Sequence, residues 1–221
     1  MRRALVAFAL LLLGVAPADS QAVLTRYAVA LARVTPPKIA IFSYTISQAG
    51  PTDIEQRHRV YRRGSYVRDE TLSSDGAAPK EAIVKVYRRA DVYDISRVAP
   101  TQAAYRFLFL QAVSRGSHID YFYQTTALTG GAFVVTRVLI DGQTFLPRAI
   151  WFATTSFSAT GKGLLQYAAV GGHWMPTLAT VDATVGGHPA RERILWSAYR
   201  FPPSLPAATF RARPFPLPTT D

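Results

Sequence analysis

From Lys38 to Ser47 the chain alternates, with Ala40, Phe42, Tyr44 and Ile46 on one parity and Ile41, Ser43, Thr45 and Ser47 on the other. A period of two marks a strand with one buried face, because successive side chains point to opposite sides. Just upstream the period is different. Val23, Tyr27, Leu31 and Val34 recur at helical spacing, Arg26 and Arg33 lie off that stripe, and Pro36-Pro37 forbid continuation. An amphipathic helix over 23–34 is therefore predicted. Gly50-Pro51 closes the first strand. Further strands follow at 55–63 and 65–72, joined at the Arg63-Gly64-Ser65 corner, then a loop at Ser73-Ser74-Asp75-Gly76 and another pair at 82–88 and 91–97. Residues 101–115 fit two patterns: Ala104, Tyr105, Leu108 and Ala112 suit a helix, whereas Tyr105, Phe107 and Phe109 suit a strand. Thr101 after Pro100 and Gly116 at the far end supply start and stop signals, which favour the helix.

The rest reads as hairpins, with strands near 118–126, 132–140, 143–156, 163–170, 173–185 and 190–200. Asp141-Gly142 and Gly186-Gly187 suit tight two-residue turns. Gly130-Gly131, Gly161-Lys162-Gly163 and Gly171-Gly172 mark others. About ten short strands at regular spacing predict one large antiparallel sheet, a sandwich or a barrel. The proline-rich tail from Pro202 reads as extended. There is no strict repeat and no linker, so a single domain is expected.

The N-terminus changes the picture. Met1-Arg2-Arg3 precedes an apolar run, Ala4 to Val15, of about 12 residues, too short for the roughly 20 that span a bilayer. Small residues at Ala16 and Ala18, or at Ser20 and Ala22, place signal cleavage after Ala18 or Ala22. The expected organisation is a cleaved signal at 1–22, one domain at 23–210 and an extended tail at 211–221. The rival reading is an uncleaved anchor. With no cysteine, lipidation, disulfides and thiol chemistry are excluded. The expected location is the periplasm. The chain carries a formal charge of +11 and stays basic after losing Arg2 and Arg3. Such a surface favours phospholipid head groups, lipopolysaccharide or acidic polymers, and export puts nucleic acid last. The plainer alternative is a solubilising surface with no specific partner.

Catalytic signatures are missing: no His-Glu-x-x-His, no phosphate-binding glycine loop and no Gly-x-Ser-x-Gly. His58, His118, His173 and His188 are scattered without metal-ligand spacing, so neither metal nor cofactor is expected. The acidic residues single out no catalytic pair. The densest charge run is Arg57, Arg59, Arg62, Arg63 and Arg68. Arg57, Arg59 and Arg63 share one strand face and Arg62 falls on the other, which reads either as an anion-binding patch or as a solvated strand face. Many large aromatics lie on strands, among them Phe42, Tyr44, Tyr87, Trp174 and Trp196. A concave sheet around an apolar cavity would use them; so would a well-packed sandwich.

Several motifs occur in a telling order: Phe42-Ser43-Tyr44-Thr45-Ile46, then His58-Arg59-Val60-Tyr61-Arg62-Arg63-Gly64, Arg68-Asp69-Glu70, Asp141-Gly142-Gln143-Thr144-Phe145-Leu146-Pro147, Trp174-Met175-Pro176-Thr177 and Trp196-Ser197-Ala198-Tyr199-Arg200-Phe201. Together they resemble the LolA-like superfamily of periplasmic lipoprotein carriers. The resemblance implies a mainly β fold: an incomplete, half-open antiparallel barrel of about ten to eleven strands with one or two lid helices on the concave side. It implies acyl chains of a lipid or lipoprotein as ligand, with Phe42, Tyr44, Ile46, Tyr87, Trp174 and Trp196 lining the cavity and Tyr27 and Leu31 on the lid. Residues 101–115 are a candidate second lid helix. In these carriers an arginine in a Lys-Arg-Pro setting ties the lid to the barrel; Arg63 is the nearest match, with Arg59 as a further anion contact, although the proline is absent. The resulting expectation is a monomeric, non-enzymatic carrier or sensor for amphipathic envelope molecules. Its alternative is an interaction module with a self-filled core, whose basic surface meets an anionic membrane or an envelope protein.

Overall fold

A computed structural model describes residues 20–50, 53–156 and 159–211. Helix α1 (Ser20–Arg33) leads into strands β1 (Ile39–Ala49), β2 (Ile54–Arg63), β3 (Tyr66–Ser74) and β4 (Val84–Arg88), then a short helix α2 (Ile95–Val98). Next come β5 (Tyr105–Arg115), β6 (His118–Ala127), β7 (Phe133–Ile140), β8 (Pro147–Thr155), β9 (Ala159–Val170), β10 (His173–Val185) and β11 (His188–Arg200), and a 3-10 turn at Ala207–Phe210. The strands form one eleven-stranded sheet in the order β4-β3-β2-β1-β11-β10-β9-β8-β7-β6-β5. Every neighbouring pair is antiparallel. The end strands β4 and β5 do not pair with each other, so the sheet curls without closing. This is the half-open barrel that the motifs imply. The hairpin from β10 to β11 turns at Gly186 and Gly187 with φ of 56° and 84°, the left-handed conformations that a tight two-residue turn demands.

Helix α1 fills part of the concavity. Val23, Leu24 and Tyr27 are buried among Tyr123, Val135, Val138, Ile140, Ile150, Phe152, Leu165 and Tyr167 of β6 to β9. Two phenolic hydroxyls fix its seat: Tyr27 donates to the Pro100 carbonyl at 2.6 Å, and Tyr123 to the Ser20 carbonyl at 3.1 Å. A smaller apolar cluster, Ala40, Phe42, Val60 and Val67, sits on β1 to β3.

Three sequence expectations are corrected. Residues 101–115 are not a lid helix but the edge strand β5 and the turn before it. Tyr105, Phe107 and Phe109 pack inward, and both phenylalanines meet the Tyr123 ring edge-on. That tertiary packing outweighs the capping signals, which yield only one turn at Thr101, whose carbonyl accepts from the Ala104 and Tyr105 amides. Residues 91–97 are not a strand. Asp91 accepts from the Tyr93 amide and Asp94 from the Ser96 amide, each at 3.0 Å. These local bonds draw the backbone out of the ladder and start α2. The hairpin at Asp141-Gly142 is wider than two residues, because β8 begins only at Pro147. There the Asp141 carboxylate accepts from the Gln143 and Thr144 amides, the Thr144 hydroxyl and the Arg115 guanidinium.

Burial of Asp141 opposes its ionisation, but the bonds from Thr144 and Gln143 and the charge of Arg115 outweigh it and lower its pKa below the usual 3.8. A lowered folded pKa adds stability that is present above the unfolded value and is lost as pH falls through the folded one. Asp141→Asn should therefore lower stability at neutral pH and flatten the loss of stability below about pH 4, as urea titrations at graded pH would record.

Candidate functional site

The alternation that makes β1 amphipathic also places its apolar side chains inside the curve. Phe42, Tyr44 and Ile46 line a cavity of about 280 Å3 together with Val60, Met175, Ile194, Trp196 and Tyr199. The segment after β4 passes over it, contributing Ala90, Asp91, Val92 and Tyr93, and exposed Tyr87 carries the cavity to the surface. A second space of about 180 Å3 shares Phe42, Arg62 and Met175 with it and is lined also by Val34, Pro36, Pro37, Ile95 and Trp174. Trp196 holds its place edge-on to Tyr93, centroids 4.8 Å apart. The Trp174 indole N–H donates to the Pro147 carbonyl at 2.7 Å, which leaves its ring face for the second space.

One wall is polar. Tyr44 stacks on His58, with ring centroids 4.5 Å apart and planes 2° from parallel. Its hydroxyl donates to Asp69 at 2.9 Å, and the other Asp69 oxygen lies 2.8 Å from His58 Nδ1. Burial, reinforced by the Asp69 charge, pushes the Tyr44 phenol well above the ordinary phenol range. Tyr199 is pushed up mainly by burial as well, so these two of the cavity's phenols stay neutral donors. Arg62 lies between the two spaces. Its Nε is 3.6 Å from Asp91 and is buried with no hydrogen-bond partner among the described residues. Arg62 and Arg89 share the lining with Asp69, Asp91 and Glu192. The cavity is thus not basic, unlike the chain as a whole.

Among the residues singled out in the sequence, Phe42, Tyr44, Ile46, Tyr87 and Trp196 come together on the larger space, and Trp174 lines the smaller one with Phe42. Tyr27 and Leu31 pack on the main core through α1. The expectation for Arg63 and Arg59 needs correction. Register sets Val60 opposite Phe42, so Arg62 points inward while Arg59 and Arg63 point to the outer face. There the Arg63 guanidinium lies 4.9 Å from the Phe210 ring centroid and 5.8 Å from that of Tyr66. It clasps the C-terminal segment rather than the lid. Nearby Arg68 reinforces this by donating to the carbonyls of Thr209 and Arg211, both at 3.2 Å. The inward position belongs to Arg62, whose opposite parity was already visible in the sequence. Sequence reading missed His58, Asp69 and Asp91 as a group, because register rather than spacing assembles them.

Arg63→Ala should loosen the C-terminal clasp by about 0.5–1 kcal/mol, the usual worth of an exposed cation–π contact. Chymotrypsin should then cut after Phe210 faster than in the parent chain, with no change in cavity properties.

No protein-family model matches the chain, and no curated protein does. Solved structures do. One is a LolA superfamily protein from Nitrosomonas europaea, 14% identical, with 87% of this chain and 97% of that chain covered at a TM-score of 0.45. Another is a DUF1329 family protein from Desulfovibrio piger, 12% identical, with 86% and 96% covered at 0.48. A third is an outer membrane lipoprotein-sorting protein domain from Vibrio parahaemolyticus, 12% identical, with 85% and 95% covered at 0.45. Each of these three structures aligns with this chain over most of its own length.

Proposed function

We propose that the chain is an exported, non-catalytic carrier or sensor that takes up an acyl chain or a comparable amphipathic molecule in the concave cavity. The observation that carries this reading is the cavity wall itself: Phe42, Ile46, Val60, Met175, Ile194 and Trp196 are apolar groups gathered around open space. Each methylene buried there is worth about 0.8 kcal/mol, so a single chain can hold without covalent chemistry. The volume of about 280 Å3 lies at the lower limit of ligand pockets, roughly 300 Å3. One chain fits as the cavity stands, and a multiply acylated anchor requires α1 to withdraw. The polar wall of Tyr44, Asp69 and Arg62 suits the head of such a molecule.

A second reading has its own support. Tyr27 is only 1% exposed, so α1 already fills the β6 to β9 side of the curve, as it would in an interaction module with a self-filled core. Native mass spectrometry of protein purified from envelopes separates the two. Co-purified lipid, reduced in Phe42→Ala and Trp196→Ala, supports the carrier. Lipid-free protein that also fails to take up a fluorescent fatty acid supports the module. Phe42→Ala should in addition cost about 3–5 kcal/mol in stability.

Secretion also makes a specific demand. Helix α1 begins at Ser20, and Tyr123 bonds to the Ser20 carbonyl. Cleavage after Ala22 would remove that turn and its acceptor, whereas cleavage after Ala18 keeps both. N-terminal sequencing of the exported protein should begin at Asp19; a start at Val23 would refute the assignment.

A further inference from the structure

The two ends of the sheet are unlike. β4 has five residues, two of them the cations Lys85 and Arg88, a short charged edge of the kind that discourages strand addition. β5 has eleven residues and, among the described residues, pairs only with β6. Between Arg106 and Arg115 it holds neither charge nor proline. Its inner side chains are committed to the core, but Leu108 and Leu110 on the outer side are 61% and 42% exposed. A long, apolar edge with free backbone groups, bulged once at Leu110, is a template for another strand on either side of the bulge.

The surroundings say which strand. Directly paired residues share a face, and the register runs Leu108, Gln124, Arg137, Trp151 across β5 to β8. Arg137 and Lys162 flank a groove of about 430 Å3 there, beside Gln124 and Trp151. Among the described residues neither these two nor Arg106 forms an ion pair. Acidic side chains on this half of the sheet are already engaged: Asp120 is held by Arg115 and Arg148. The edge therefore combines an apolar stretch with Arg106 on β5 itself and Arg137 two strands in on β7, neither of them ion-paired, whereas Lys162 lies farther off on β9, opposite Asp182.

We propose that β5 is a docking edge for an extended, acidic segment of a partner protein, which joins the sheet as a further strand. Charge disfavours a second copy of the chain in that role. Pairing β5 with β5 would set Arg106, with Arg137 behind it, on both sides of the seam, between two chains each carrying a formal +11. The edge lies away from the concave cavity on β1 to β3, so this docking is independent of ligand uptake and can fail or hold without it.

The test uses a fluorescent peptide of about nine residues, enough to span most of an edge strand, with alternating valine and threonine and glutamate at both ends. A lysine-ended peptide is the control. The glutamate peptide should bind the exported chain at least about tenfold tighter than the control, a difference of about 1.4 kcal/mol. Added salt should weaken it. Binding should slow amide hydrogen exchange within 105–115 and leave 84–88 unchanged. Leu108→Glu, at an exposed position, should abolish binding while circular dichroism and thermal unfolding stay those of the parent; Arg137→Glu should reduce it. Three results would overturn the proposal: no preference for the acidic peptide, protection located away from β5, or concentration-dependent self-association that protects 105–115 without peptide.

Discussion

The seating of α1 inside the curved sheet is the interaction on which the remaining architecture depends. An antiparallel sheet can face water on one side, but its other face must be covered. Here that face carries Tyr123, Val135, Val138, Ile150 and Phe152, buried in one cluster with Val23, Leu24 and Tyr27 of the helix. Burial of a large apolar side chain is worth about 1.5–3 kcal/mol, so the helix contact is a major part of what holds the curve. The Tyr27 hydroxyl then bonds to Pro100, just beyond α2. Helix and roof segment are thereby joined, and a displacement of one is felt by the other. What the helix leaves uncovered, on the β1 to β3 side, becomes the cavity.

Charge is sorted by the same alternation. Arg62 and Arg63 are sequence neighbours with different surroundings: one is half-buried beside Asp91 in the cavity lining, the other lies on aromatic rings outside. The outer face holds the C-terminal segment through Arg63 and Arg68. The inner face pairs its few charges at short range, as at Tyr44, Asp69 and His58. A strongly basic chain can in this way carry a cavity whose lining is not basic.

Strand parity was legible wherever one face is apolar and the other polar, as from Ala40 to Ser47, and there the inward residues could be named from the sequence. It failed at 101–115, where Leu108 and Leu110 make both faces apolar and remove the contrast that distinguishes a strand from a helix. It failed at 91–97 because Asp91 and Asp94 satisfy their own backbone, a local chemistry that periodicity does not register. The polar wall of the site was not legible at all. His58 and Asp69 are brought together by the β2–β3 pairing, which sets Asp69 opposite Val60 and so diagonal to His58 on the same face, a neighbourhood fixed by where the hairpin turns and not by any motif spacing. Arg62 could have been separated from Arg63 by parity alone, but motif likeness pointed to the neighbour.

The strand order has a consequence for how the chain reaches this state. β1 to β4 form one meander and β5 to β11 another, and among the described residues the two are joined in the sheet by the pairing of β1 with β11, which sets Tyr44 beside Trp196. The first strand made therefore waits for the last. Until β11 has left the ribosome, the arm bearing Phe42, Val60 and Val67 lacks the neighbour that completes its wall, and α1 lacks the β6 to β9 surface on which it rests. Contacts so distant along the chain form slowly. A nascent chain is thus kept from premature closure by its own topology, and the sheet joins in its middle only when the whole domain has emerged.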